Sequence, residues 1–244
     1  VIEVTDRKTP EASQIYISKT DMSGADEVNG AVLKLTLSGG GKLPAIESSN
    51  PTLTSDENSI IFTSQSVPTS IKGLPDGTYV LSESVAPDKY TITGNIEFTI
   101  KNGKIEGTTD NAVKMKDELS KITVSKKDIS GTKEIAGARL VVTLKEATKT
   151  KIGADLGDGT VTVTGGASAV STSPDSVTFL SGNEPAVITG LPDGKYTLTE
   201  ITSPDGYTIN EETVNFEIIN GVVVSGTSVQ MLDRPSEIKI SKTD

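Results

Sequence analysis

A heptapeptide recurs almost unchanged in this chain: Gly73-Leu-Pro-Asp-Gly-Thr-Tyr79 returns as Gly190-Leu-Pro-Asp-Gly-Lys-Tyr196. The surrounding sequence falls into step with it. Ser18-Lys19-Thr20-Asp21 returns as Ser125-Lys126-Lys127-Asp128 and again as Ser241-Lys242-Thr243-Asp244, and Gly30-Ala31 returns as Gly137-Ala138. The offset is 107 residues from Lys19 to Lys126 and 117 from Tyr79 to Tyr196, which puts ten extra residues in the second copy between Leu144 and Ser176. Repeats this long are domains, not solenoid units. Whatever fold the chain adopts, one pattern must build it twice.

That pattern has a period of two. Short alternating runs rich in Val, Ile and Thr are broken by Gly, Pro, Asn and Asp, which predicts an all-β chain. Pro75-Asp76-Gly77 and Asn102-Gly103 are turn signals, matched by Pro192-Asp193-Gly194 and Asn220-Gly221. The first of these turns lies in Leu74–Thr78, which resembles a cell-wall sorting signal with its last two residues reversed; it reads as a turn. Residues 139–149 come nearest to a helical period, but Val141-Val142-Thr143 argues for strand. Phe62 pairs with Phe179, Tyr79 with Tyr196, Tyr90 with Tyr207 and Phe98 with Phe216, as expected of one core built twice. Each copy is therefore expected to be an Ig-like or prealbumin-like antiparallel β-sandwich of about seven strands.

The expected divisions are residues 13–118 and 119–234 for the two domains. Residues 1–12 read as the last strand of a preceding repeat plus a linker, and 235–244 as the first strand of a following one. Only Glu118, Leu119 and Ser120 are available as a joint, so an end-to-end rod is expected.

Ionisable residues continue the apolar faces. Ile15, Ile17 and Lys19 step by two, so their side chains leave one face of a strand, and Ile122, Val124 and Lys126 do the same. Val113, Met115 and Asp117 are matched by Val229, Met231 and Asp233; Tyr79, Leu81 and Glu83 are matched by Tyr196, Leu198 and Glu200. Half of the pattern appears at each end, as Ile2, Val4, Asp6 and as Ile238, Ile240, Lys242. An unpaired buried charge costs several kcal/mol, so three of them duplicated in step point to chemistry.

Composition narrows that chemistry. With no Cys, His or Trp among 244 residues, thiol and imidazole catalysis, disulfides and ordinary zinc sites are excluded. Asp155-Leu-Gly-Asp158-Gly159 lacks the spacing of a calcium loop and reads as a polar turn. No metal or cofactor is expected. A net charge of −10 without a basic run argues against nucleic acid, and no apolar stretch is long enough to insert in a membrane.

What remains is a lysine with two carboxyl groups in an apolar core. Burial lowers the pKa of a lysine and raises that of a carboxyl. A neutral amine is a nucleophile, a protonated aspartic acid is an electrophile, and a second carboxyl can relay protons between them. The product is a Lys–Asp amide and water. Two plainer readings stand beside it: a lysine that points past the core into water, and an ion pair without a bond. A buried pair is often no more stabilising than apolar residues, which leaves its duplication poorly explained.

Leu81-Ser-Glu83-Ser-Val-Ala-Pro87-Asp-Lys89-Tyr90 and Leu198-Thr-Glu200-Ile-Thr-Ser-Pro204-Asp-Gly206-Tyr207 resemble the Leu-x-Glu-x-x-x-Pro-x-Gly-Tyr box of the B-type domains of collagen-adhesin proteins (Cna-B), found in Gram-positive surface adhesins and pili. The resemblance covers essentially the whole chain, with Lys89 standing where the box has Gly. It implies Lys19 and Lys126 as nucleophiles, Asp117 and Asp233 as acceptors, and Glu83 and Glu200 as the catalytic carboxyls. Many family members use Asn as the acceptor. Asp6 and Lys242 are then unpaired half-sites, expected to stay unlinked on frayed strands.

The implied function is structural: stalk or shaft domains of a wall-anchored protein at the bacterial cell surface. They would be stabilised by single-turnover autocatalytic cross-links and would not act on an external substrate. The expected partners are neighbouring repeats, with any host matrix protein or glycan engaged by a separate tip domain. The alternative is a ligand-binding adhesin module that uses the second-copy insertion, about residues 145–175.

Overall fold

The computed structural model describes residues 14–148, 156–157, 159–224 and 229–242. The chain divides into two compact units, Val1–Pro87 with Ile92–Glu118, and Asp88–Thr91 with Leu119–Asp244.

Unit 1 contains β1 (Gln14–Asp21), β2 (Val32–Leu37), β3 (Glu47–Ser48), β4 (Thr54–Ser55), β5 (Ile60–Thr63), β6 (Thr69–Lys72), β7 (Gly77–Val85), β8 (Ile96–Lys101), β9 (Lys104–Ile105) and β10 (Ala112–Asp117). They form a four-stranded sheet, β10-β1-β6-β3, and a six-stranded sheet, β4-β5-β2-β7-β8-β9. Seven strands have four residues or more; β3, β4 and β9 are two-residue pairings at sheet edges.

Unit 2 repeats the plan with β11 (Lys121–Asp128), β12 (Arg139–Ala147), β13 (Thr162–Gly165), β14 (Ser168–Thr172), β15 (Ser176–Leu180), β16 (Ala186–Thr189), β17 (Gly194–Thr202), β18 (Val214–Ile219), β19 (Val222–Val223) and β20 (Val229–Asp233). Its sheets are β20-β11-β16-β13 and β14-β15-β12-β17-β18-β19.

One pairing departs from the antiparallel expectation. β1 and β10 run parallel, with Lys19 opposite Met115 and Asp21 opposite Asp117. β11 and β20 do the same, with Lys126 opposite Met231 and Asp128 opposite Asp233. Every other strand pairing among the described residues is antiparallel. A parallel pair needs a long crossover. Here the body of the domain supplies it, so the first and last strands close the sandwich side by side.

The inward faces fill as alternation requires. Ile15, Ile17, Leu33, Leu35, Ile60, Phe62, Tyr79, Leu81 and Met115 are all buried in unit 1, and Ile122, Val124, Leu140, Val142, Phe179, Tyr196, Leu198 and Met231 in unit 2. Tyr79 stacks on Phe98 at 5.6 Å between ring centroids, and Tyr196 on Phe216 at 5.2 Å. Each tyrosine hydroxyl donates to a turn carbonyl, Tyr79 to Pro75 O at 2.8 Å and Tyr196 to Pro192 O at 2.6 Å. Tyr90 and Tyr207 differ from the other matched aromatics in being only half-buried. They lie after β7 and β17, outside the strands, each in an isolated bridge, Tyr90 with Leu119 and Tyr207 with Pro235.

The insertion extends the sheets and leaves the core pattern unchanged. Glu47 lies opposite Lys72 as Thr162 lies opposite Thr189, and Thr54 opposite Ile61 as Ser171 opposite Thr178. Most of the extra residues therefore precede Thr162. β13 and β14 lengthen opposite edges, one in each sheet, and do not pair with each other. Asp155 and Asp158 lie outside the described residues, as does Asp6. Ser236–Lys242 forms no strand, and Ile238 and Ile240 are 88% and 92% exposed.

The tyrosine hydrogen bonds give a direct check on the turns. Tyr196→Phe should destabilise unit 2 by about 1–3 kcal/mol, because it strands a buried carbonyl. Urea unfolding of unit 2 reads this, and Tyr79→Phe, whose acceptor residue Pro75 is exposed, should cost less.

Candidate functional site

Three ionisable side chains meet inside each unit. Lys19 on β1, Asp117 on β10 and Glu83 on β7 converge between the two sheets of unit 1. Lys19 Nζ contacts Asp117 Oδ1 and lies 3.0 Å from Glu83 Oε1, with the three side chains no more than 1% exposed. In unit 2 Lys126 Nζ contacts Asp233 Oδ1 and lies 3.1 Å from Glu200 Oε1, equally enclosed. All six residues expected from the sequence are thus brought together, three by three. Lys242 is exposed and lies in no strand.

The backbone explains the convergence. Lys19 is level with Met115, so its target lies one pleat farther along β10. That is about 7 Å, a distance the four-carbon stem of lysine spans when it leans along the strand. Glu83 arrives from the opposite sheet. The β2–β7 register slips there, from Val32 opposite Val85 to Leu33 opposite Glu83. The same slip follows Glu200, between Leu140 opposite Glu200 and Arg139 opposite Thr202. A bulge of this kind re-aims the side chain beside it.

A loop then fixes each glutamate. Thr93 N donates to Glu83 Oε2 at 2.8 Å, and Asn210 N to Glu200 Oε2 at 2.6 Å. Asn210 Nδ2 also donates to Leu232 O at 2.8 Å, tying that loop to the strand that carries Asp233. Lys89, in the box position usually held by Gly, adopts a left-handed φ of 72°, close to the 81° of Gly206. The turn therefore keeps its shape at a cost of about 1–2 kcal/mol.

Two more carboxylates touch the lysines. Lys19 N donates to Glu27 Oε2 and Lys126 N to Glu134 Oε2, both at 2.9 Å. The sequence signal was a Glu eight residues after each Lys in both copies, and its role is invisible without the backbone.

Burial governs the electrostatics. It pushes Asp117 up to about 7, against the opposing pull of Lys19. Burial likewise raises Glu200, opposed by the Asn210 amide and by Lys126. Asp117 Oδ2 and Asp233 Oδ2 are buried without a hydrogen-bond partner, a costly state for an ionised carboxylate. A lysine held against a buried aspartic acid is the arrangement that can form an amide, and in unit 1 burial moves that acid toward its neutral, electrophilic form. No group of three or more acidic side chains able to hold a metal ion occurs among the described residues.

The family model described as SpaA, prealbumin-like fold domain, matches residues 13–113 and again 120–230. Among solved structures, the chain is similar to the Bacillus anthracis TIE protein at 20% identity and a TM-score of 0.47, over 92% of this chain and 34% of that one. A streptococcal ancillary pilin gives 17% and 0.32, over 94% and 63%. The shaft pilin SpaA from Lactobacillus rhamnosus GG gives 16% and 0.35, over 94% and 100%. The chain thus spans about a third of the first and under two thirds of the second. No curated protein matches it.

The raised Asp117 value fixes the sign of a pH effect. The fold binds this proton more tightly than the unfolded chain, whose carboxyl titrates near 3.8. The resulting stability is complete below about pH 4 and is lost as pH rises through about 7. In a Lys19→Met background, where Asp117 stays titratable, unit 1 should weaken over that window and above it. Adding Asp117→Asn should abolish the trend in urea unfolding measured across pH.

Proposed function

The chain belongs to the SpaA family of prealbumin-like fold domains, and on that premise we propose that its two units are load-bearing stalk or shaft domains of a Gram-positive surface protein, each closed by an intramolecular Lys–Asp isopeptide bond. The observation that carries this reading is the enclosed Lys–Asp–Glu triad, present twice with the same geometry.

The chemistry balances without a cofactor. A proton passes from the Lys19 ammonium to the Asp117 carboxylate, leaving a neutral amine and a neutral acid, the forms that burial favours. The Nζ lone pair attacks Cγ, while Glu83 hydrogen-bonds the developing oxyanion and relays one amine proton to the departing hydroxyl. A C–N bond forms, a C–O bond breaks, and water leaves. Lys126, Asp233 and Glu200 act alike. The reaction removes two charges and an unsatisfied oxygen from the core, and positioning of the partners supplies an effective molarity of about 10⁵ M or more. Each triad turns over once, which is not enzymatic turnover.

The topology supports a mechanical role. β1 and β10 are adjacent and parallel, so tension entering β1 and leaving β10 shears them along their length. The amide would carry the load from Lys19 directly to Asp117, 98 positions later, and from Lys126 to Asp233, 107 positions later. The chain between them would be held out of the force path. By analogy with a disulfide closing a loop of this size, each bond should add about 4–5 kcal/mol.

Purified protein should be lighter than its sequence mass by two waters. Glu83→Ala or Lys19→Ala should restore one of them, and Glu200→Ala or Lys126→Ala the other. An unshifted mass in folded wild-type protein would end this reading. The Glu→Ala variants should also melt well below wild type and yield to trypsin first; equal melting would show that the bonds do little for stability.

A further inference from the structure

We propose that Glu27 and Glu134 are positioning residues for the cross-linking reaction: each carboxylate holds the backbone of the reactive lysine at the end of its strand. This inference rests on the isopeptide reading above.

The need for such a clamp follows from strand lengths. β1 has β10 on one side and β6 on the other, but β6 pairs only with Gln14 to Ile17. Lys19 lies past that end, so its N–H and C=O on that side have no strand to meet. In unit 2, β16 pairs with Lys121 to Val124 and stops short of Lys126. A strand end supported on one side frays readily, and any slide moves Nζ away from the aspartic acid.

A short return of the chain replaces the missing strand. Val28 N donates to Lys19 O at 2.6 Å, and Ile135 N to Lys126 O at 2.8 Å. The remaining group, the lysine N–H, is taken by the glutamate, at 2.9 Å in both units. A charged acceptor makes this bond stronger than an ordinary backbone pairing.

Only Glu27 is itself braced by a hydrogen bond, which Ser18 Oγ donates to its Oε1. The corresponding oxygen of Glu134, Oε1, is buried with no hydrogen-bond partner and has only Lys127 Nζ nearby, at 3.9 Å. Both polar groups of the lysine backbone are thus fixed on the side facing away from the acceptor strand. The stem then extends from a fixed origin, and a misplacement of about 1 Å at such a centre can cost about 100-fold in rate.

The tandem arrangement provides its own clock. Freshly synthesised protein is sampled by intact mass as the waters are lost, and digestion assigns each loss to a unit. Glu27→Ala should slow bond formation in unit 1 by about ten- to a hundredfold relative to unit 2 in the same molecule. Glu134→Ala should do the reverse. Glu27→Gln keeps an oxygen that can accept the Lys19 N–H and should recover most of the rate. Glu27→Asp withdraws the acceptor by one methylene and should not.

Tyr79→Phe separates positioning from general stability, because it weakens unit 1 away from the lysine and should leave the rate unchanged. If Glu27→Ala does not fold, the Gln and Asp variants decide. Wild-type rates in folded Glu27→Ala or Glu27→Asp protein, or equal slowing by Tyr79→Phe, would overturn the proposal while leaving the isopeptide reading intact. Absence of water loss from wild type would overturn both.

Discussion

The contact between a buried lysine and a buried aspartic acid on two neighbouring parallel strands is the constraint around which each unit is organised. A lysine and two carboxyl groups in an apolar interior are tolerable only if they are tightly paired, neutralised or consumed. The local irregularities of the fold serve that requirement. The first and last strands run parallel, which puts the aspartic acid one pleat beyond the lysine. A bulge turns a glutamate from the facing sheet toward them, and a loop amide holds its outer oxygen.

Comparing the two copies separates what the site demands from what the scaffold tolerates. The triad, the bulge, the loop amide and the glutamate on the lysine backbone recur. The edges vary: β3 and β4 are two-residue pairings, whereas β13 and β14 are longer and take up part of the insertion. The box turn also varies, with Lys89 bearing a left-handed backbone that Gly206 adopts freely. Strain is accepted at that turn, and the triad geometry is the same in both units.

Much of this was legible because alternation and duplication reinforce each other. Lys19, Glu83 and Asp117 each continue an apolar face, and the same residues at matched positions in the second copy identify them as a set. Strand direction was not legible. Period two gives the face of a side chain but not the direction of its neighbour, so the parallel closure came only with the structure. The bulges at Glu83 and Glu200 arise from pairing between distant segments and leave no local mark. Tyr90 and Tyr207 misled in the opposite sense, since a matched aromatic pair can repeat a turn as readily as a core. Glu27 and Glu134 carry no local mark of their role, since only the ends of β6 and β16 show which amides they serve.

Trypsin offers the most direct measurement, because it cleaves after a lysine only when the side-chain amine is free. Digestion of fully denatured wild-type protein, followed by peptide sequencing in the mass spectrometer, should give two branched peptides. One should join Lys19 to Asp117 and the other Lys126 to Asp233, each one water short, with no cleavage after either lysine. Linear peptides ending at Lys19 and Lys126, with unmodified Asp117 and Asp233, would contradict the account.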